Sequence, residues 1–246
     1  MLGRRRALLH RYDSRHHHAL GDTAAAKAFL AEQGVPVVEA LGVCRSLLDI
    51  EAAVERARGE SDLVIRTASG ELRLGLGTWE AGGWRGAGGF VSDGALGMML
   101  ARVLFQAQTA GLDEHVSIER RVNPPAARGT PWASGIELRV VALEGKAAAM
   151  AVRHPERVAA SAEAKPKRLE VEIDTGRVLE PAVNDGELAT PLAIAGATVP
   201  HFGDLVGVAL RAAGHLPIEL IGVDVAMDRQ RGALVVGLDA LAALHW

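Results

Sequence analysis

The residues best suited to chemistry lie near the end of the chain. There Ile221-Gly222-Val223-Asp224-Val225-Ala226-Met227-Asp228 and Gly232-Ala233-Leu234-Val235-Val236-Gly237-Leu238-Asp239 flank a charged turn. Two apolar runs joined in this way read as a strand hairpin, with Asp224 inside the first strand and Asp239 near the end of the second. Carboxylate oxygens are the ligands that magnesium takes, together with phosphate and water. The plainer alternative is Asp224 paired to an arginine and Asp239 serving a turn. Arg139 and Arg153 fall on a second hairpin, and a buried ion pair is the plain reading of Arg139. Arg66 ends the apolar run Leu63-Val64-Ile65 as a cation at a strand end.

The elements that must hold these residues can be read from caps, turns and alternation. Asp22 or Thr23 caps a helix running to Gln33, which Gly34 and Pro36 end. Val37–Val43 is a strand, and Ser46 caps a helix from Leu47 to Ala57. Leu63–Ile65 and Leu72–Leu76 are strands around a Ser69-Gly70 turn. Residues 77–91, rich in glycine with Trp79 and Trp84 interspersed, read as an irregular loop. Ser92 or Asp93 opens a long amphipathic helix to Ala110. Val116–Val122, Ile136–Leu143 with Lys146–Val152, and Leu169–Ile173 are strands, the middle pair closed by a Glu144-Gly145 turn. Phe202–Ala213 is a helix before the closing hairpin. The pattern is α+β, with two lobes enclosing a cleft and a division near residue 112.

Composition narrows the function classes. With 246 residues, 49% of them hydrophobic, and a net charge of −3, the chain has ample core and no basic surplus that would call for nucleic acid. No apolar run is long enough to span a bilayer. The single Cys44 excludes an internal disulfide, fits a reducing cytoplasm and reads as a buried inert thiol. Arg4-Arg5-Arg6 and His16-His17-His18 read as a solvated terminus and a loop cluster. There is no Gly-x-Ser-x-Gly elbow, Walker loop, Cys-x-x-Cys pair or His-Glu-x-x-His helix.

Several strings, in one order along the chain, resemble the ATP-grasp superfamily and within it the alpha-L-glutamate ligase-like proteins. They are Leu2-Gly3-Arg4-Arg5, Tyr12-Asp13-Ser14-Arg15, Asp22 to Lys27 with Gln33-Gly34-Val35-Pro36-Val37, and Leu63 to Thr67. Ile118-Glu119-Arg120-Arg121-Val122, Glu137-Leu138-Arg139-Val140, Ala149-Met150-Ala151-Val152-Arg153 and Val199-Pro200-His201-Phe202 continue the series. The closing hairpin resembles the metal-binding hairpin of these ligases, in which an acid on the first strand faces Glu-x-Asn on the second. Gly237 stands at the Glu position and Asp239 at the Asn position.

The resemblance implies an ATP-grasp fold without a full N-terminal pre-ATP-grasp domain, divided into an arm (1–20), an N-terminal lobe (21–112) and a C-terminal lobe (113–246). It implies ATP-dependent joining of a carboxylate to an amine through an acyl phosphate, with ATP and magnesium as cofactors and a small carboxylate or peptide as substrate. Arg139 and Arg153 would face the acyl phosphate or substrate. Lys27, Arg66, Glu119 and Arg121 would lie on the nucleotide, and Asp224 and Asp239 on the metal. A homo-oligomer or a partner protein fits the resemblance, while the balanced charge and the short apolar runs point away from nucleic acid and membrane.

This chain departs from the pattern at correlated points. Gly237 removes the central carboxylate, and Arg66 replaces the lysine on the phosphates, a planar fork for a compact charge. Ala68-Ser69-Gly70 stands where a glycine run covers the phosphates, with Gly82-Gly83, Gly86 and Gly88-Gly89 too far downstream. Ala164-Lys165-Pro166-Lys167 only loosely echoes the family's Lys-Ala-Asn segment. Losses gathered on the phosphate side while structural strings persist favour a second expectation: a non-catalytic ATP-grasp module that binds a nucleotide or a protein.

Overall fold

A computed structural model of the chain describes residues 22–67, 73–86, 89–109, 115–125, 132, 136–153, 168–179 and 194–239. The N-terminal arm, the 68–70 turn, Gly88, the 164–167 echo and most of the 184–197 loop lie outside these residues, as does the Arg153 side chain. The described part divides into two compact units.

One unit combines Gly21–Ala28 with Val38–Arg121. Helix α1 (Thr23–Glu32) begins in it, capped by Asp22, whose carboxylate accepts from the Ala25 N–H at 2.9 Å. Strand β1 (Ala40–Cys44) is followed by a 3-10 turn (Leu47–Asp49) and helix α2 (Ile50–Ala57), with Ser46 and Asp49 bonding reciprocally at the entry. Strands β2 (Leu63–Thr67) and β3 (Arg73–Leu76) come next, then β4 (Thr78–Glu80), β5 (Gly83–Gly86) and β6 (Gly89–Ser92). Helix α3 (Asp93–Thr109) and strand β7 (Val116–Arg120) complete it.

The antiparallel sheet has the order β1-β7-β2-β3. Strand alternation assigns its two faces. Leu63 and Ile65 of β2, with Val116 and Ile118 of β7, enter one core with Ala53 and Ala57 of α2 and Leu96, Leu100 and Leu104 of α3. Gly42 lets α2 come this close, because a Cβ there would sit 2.7 Å from the Ala53 Cβ. The opposite face carries Arg66, Ser117 and Glu119, with Arg66 directly across from Ser117 and Glu119 across from Val64.

Two expectations are corrected here. Thr78–Glu80, Gly83–Gly86 and Gly89–Ser92 form a three-stranded sheet, β4-β5-β6, where a loop is expected. Buried Trp84 meets Trp79 edge to face at 4.6 Å and donates its indole N–H to the Glu60 carbonyl at 2.9 Å, which holds glycine-rich strands that have few side chains of their own. The division of the chain also falls after Arg121 and not near residue 112, because β7 lies between β1 and β2 in this unit's sheet.

The other unit combines Phe29–Val37 with Val122–Trp246. Strands β8 (Glu137–Leu143), β9 (Lys146–Arg153), β10 (Arg168–Glu170), β11 (Leu220–Asp228) and β12 (Gly232–Asp239) form an antiparallel sheet of order β10-β9-β8-β11-β12. Helix α4 (Phe202–His215) buries Leu205, Val208, Ala209, Ala212 and Ala213 and packs on β11, β12, β8 and β9. Opposing core residues include Leu138, Val140, Ile221, Val223 and Val225, each fully excluded from water. At the free edge of β12, Val37 forms a parallel bridge with Val235, and the Val235 N–H donates to the Pro36 carbonyl at 2.9 Å.

Asp228 closes the β11–β12 turn. Only 4% exposed, it accepts from the N–H groups of Asn123 at 2.9 Å, Gln230 at 2.9 Å and Arg231 at 3.0 Å, and from the Arg231 guanidinium at 2.8 Å. Burial alone would raise its pKa, but these donors outweigh burial and hold the carboxyl far below its ordinary 3.8. A depressed acid stabilises the fold above its unfolded pKa, and that contribution is lost as pH falls toward the folded value. Asp228→Asn is therefore expected to cost about 1–3 kcal/mol at neutral pH and to flatten the loss of stability between about pH 4 and 2. Urea titrations at several pH values check this; parallel pH profiles for both proteins would refute it.

Candidate functional site

The carboxylates of the closing hairpin meet a cation within their own sheet. Arg139 of β8 pairs in register with Asp224 of β11, which pairs in turn with Gly237 of β12, so the three residues form one row across three strands. Residues directly opposite on one face approach closely. The Arg139 Nε and Nη2 groups donate to the two Asp224 oxygens, each at 2.7 Å, while Nη1 lies 3.6 Å from Asp239 Oδ2. The Arg139 and Asp224 side chains are only 12% and 15% exposed. Burial alone would lower the arginine pKa; the Asp224 hydrogen bonds and the charges of Asp224, Asp239 and Glu137 outweigh it and raise it.

Gly237 is part of this arrangement. A Cβ placed there would sit 2.9 Å from Asp224 Oδ2 and 3.3 Å from its Cβ. The strand slips by one residue beside it, since Asp224 faces Gly237 but Val225 faces Val235. The position where the resemblance expects a glutamate is thus occupied by the neighbouring carboxylate, turned toward Arg139. Magnesium wants six oxygens at roughly 2.0–2.1 Å in octahedral array. Asp224 offers both of its oxygens to a guanidinium, Gly237 offers none, and Asp239 lies against the same cation. Two carboxylates and one guanidinium sum to a single negative charge, and a divalent ion would have to lie beside Arg139. These residues do not fit the metal.

The nucleotide-side residues gather in the other unit, on the polar face of its sheet. Lys27 of α1 forms an ion pair with Glu119 Oε1, the Ser117 hydroxyl donates to the same oxygen at 2.9 Å, and Arg66 Nε lies 3.5 Å from Glu119 Oε2. Lys27 and Glu119 are 5% and 1% exposed. Burial, aided by the nearby Arg66 charge, pulls the Lys27 pKa below that of a free lysine despite the Glu119 partner. One carboxylate therefore pairs with two of the three cations expected on the nucleotide.

The main chain around Glu119 is also committed. It belongs to a strand paired on both sides, the Arg120 N–H donates to the Glu39 carbonyl, and the Arg121 N–H donates to the Asp62 carbonyl. Glu119 is a buried anchor rather than an exposed contact. The Arg121 guanidinium lies over Gly75, whose strand partner Val64 is itself paired with Glu119. Arg153 ends β9 opposite Glu137.

Sequence reading singled out Arg139 and Asp224 separately. Their pairing follows from register, which a sequence does not print. It missed Ser117, although its spacing of two from Glu119 puts both on one strand face. It also missed Asp228, although an aspartate before Arg-Gln-Arg-Gly is a turn signal.

Among solved structures, the chain resembles the ATP-grasp ligase PsnB complexed with a phosphomimetic variant of its minimal precursor, Mg and ADP (TM-score 0.51, 14% identity, 93% of this chain and 52% of that one). It also resembles the D-cycloserine synthetase DcsG (0.50, 14%, 90% and 63%). A third resemblance is to D-alanyl-alanine synthetase A from Vibrio cholerae O1 biovar eltor (0.50, 14%, 91% and 55%). The chain spans about half the length of most of these structures. No protein-family model and no curated protein matches it.

Cutting one partner from a buried ion pair leaves a charge without compensation, whereas replacing both partners with apolar groups need not destabilise. Arg139→Ala is expected to lower unfolding free energy by about 3 kcal/mol, and the double change Arg139→Met with Asp224→Leu by less than half of that. Urea unfolding of the three proteins checks this; an Arg139→Ala protein as stable as the parent would rule out a structural pair. On its likeness to the solved structures above, which covers at least 90% of the chain, the chain has the ATP-grasp fold.

Proposed function

We propose that this chain is a divergent ATP-grasp module of the glutamate ligase-like type that has given up magnesium-dependent phosphoryl transfer and serves as a binding module. The observation carrying this reading is the bidentate Arg139–Asp224 pair over Gly237. Phosphoryl transfer to a carboxylate depends on positioning and on cationic charge placed against the γ-phosphate and the leaving oxygens. In this chain the charges that would do that work cancel one another. Arg139 neutralises Asp224, and Glu119 takes up Lys27 and Arg66. The hairpin thus carries one net negative charge, and the cluster beside β7 is half neutralised.

ATP and magnesium enter this reading only through the fold. The PsnB structure above holds Mg and ADP together with a precursor variant, and such ligands are what an intact relative of this chain would bind. An active carboxylate–amine ligase is the competing reading, and it requires Arg139 to leave Asp224.

Isothermal titration of the full chain with ATP and with a nonhydrolysable analogue, each with and without magnesium, tests the proposal. The expected result is no magnesium-dependent gain in affinity and no ADP release in the presence of amine and carboxylate mixtures. Micromolar binding that requires magnesium would refute the proposal and restore the ligase reading. Gly237→Glu alone is expected not to create magnesium binding, since the new side chain must displace the Asp224 carboxylate from Arg139.

A further inference from the structure

The hairpin whose far end carries Asp224 and Gly237 ends, at its turn, on a separate cavity of about 850 Å³. Every residue lining it belongs to the unit built on the five-stranded sheet. Its walls come from helix α4, from the β11–β12 turn and from Pro36 and Pro125. This volume lies within the range of small-molecule sites, roughly 300–1,000 Å³.

The charges around the cavity do not balance. Arg231 is held by Asp228, and His201 lies 3.7 Å from the exposed Asp204 at the rim. Arg211 and Arg229 also line the cavity, and among the described residues neither has a carboxylate within ion-pair distance. With histidine neutral, three arginines against Asp204 and Asp228 leave the lining one positive charge in excess, on a chain whose overall charge, counted the same way, is −3. Arg229 is delivered from a fixed turn: its N–H donates to the Asn123 carbonyl at 2.7 Å, and buried Asp228 pins the residues around it. With its main chain already fixed, Arg229 has only its own side-chain rotamers to order on meeting a ligand.

The floor of the cavity is open for a physical reason. Gly203, Gly207 and Arg211 recur every four residues along α4, so they share one helix face. A Cβ at either glycine would meet nothing within 4 Å, so internal packing does not demand these glycines. Glycine within a helix costs about 1 kcal/mol relative to alanine. The apolar walls, Pro36, Pro125 and Met227, face a space that the two arginines share.

We propose that this cavity binds a small organic anion, with a carboxylate or phosphate group taken by Arg211 and Arg229 and an apolar part lying against Pro36, Pro125 and Met227. Guanidinium forks match both oxyanions. The site is independent of the nucleotide reading, because neither Arg139 nor Asp224 contributes to it.

The test is isothermal titration of the full chain with two probes, inorganic phosphate and citrate, each at low and at physiological salt. Backbone amide NMR shifts are followed in parallel. The expected result is binding of at least one probe that shifts the amides of Gly203, Gly207 and Arg229. The Arg211→Gln/Arg229→Gln double variant should weaken it tenfold or more. Gly207→Leu, which fills the floor without changing charge, should weaken binding as well, while Arg45→Gln, an exposed arginine paired to Asp22, should leave it unchanged. Binding of phosphate but not citrate assigns a phosphate-bearing ligand, and the reverse assigns a carboxylate. No binding of either probe at millimolar concentration overturns the proposal. So does binding that survives the double variant in a protein with an unchanged NMR fold.

Discussion

The row formed by Arg139, Asp224 and Gly237 governs the sheet in which it lies. Each of the three strands contributes one member, and each member makes sense only with the other two. Arg139 needs a carboxylate because its side chain is largely withdrawn from water. Asp224 reaches it with both oxygens because the next strand leaves the adjacent space empty. That emptiness coincides with a one-residue slip in β12, so side chain, backbone register and ion pair were settled together. A pair of this kind contributes more to the choice of register than to net stability, since burying both charges offsets much of their attraction.

The same compensation appears in the other unit. A buried carboxylate, Glu119, collects Lys27 from a helix and Arg66 from the neighbouring strand, with Ser117 sharing one of its oxygens. Two sites with no residue in common thus show one theme. In both, buried or half-buried charges are directed at one another. The nearby Asp22 carboxylate, bonded to the Arg45 guanidinium as well as to the start of α1, continues it.

Much of the fold was legible in the chain because its signals are local. Asp22 and Gly34 bracket α1, and Gly34 has the positive φ of 74° that a helix C-cap wants. Glu144-Gly145 turns the β8–β9 hairpin with both residues at positive φ. The β4–β6 sheet was not legible, because glycine hides strand periodicity and the force holding it is a contact between Trp79 and Trp84. The candidate site was legible as a set of residue types but not as a circuit. Asp224 could be seen as a carboxylate on a strand, and Arg139 as a cation on another. Whether the arginine faced a ligand or the aspartate depended on a register that pairs strands 85 residues apart in the chain.

The bridge between Val37 and Val235 has a consequence for how the molecule can be divided. The edge of β12 would otherwise present open main-chain groups next to an apolar run, a template for pairing with another chain. A short segment from before β1 covers part of that edge, and Pro36 beside it limits further strand addition. The C-terminal unit is consequently discontinuous in sequence, and no single cut releases it whole. A fragment beginning at Val122 would contain the five-stranded sheet and all three arginines of the cavity, but would lack the strap that keeps its last strand from seeking another partner.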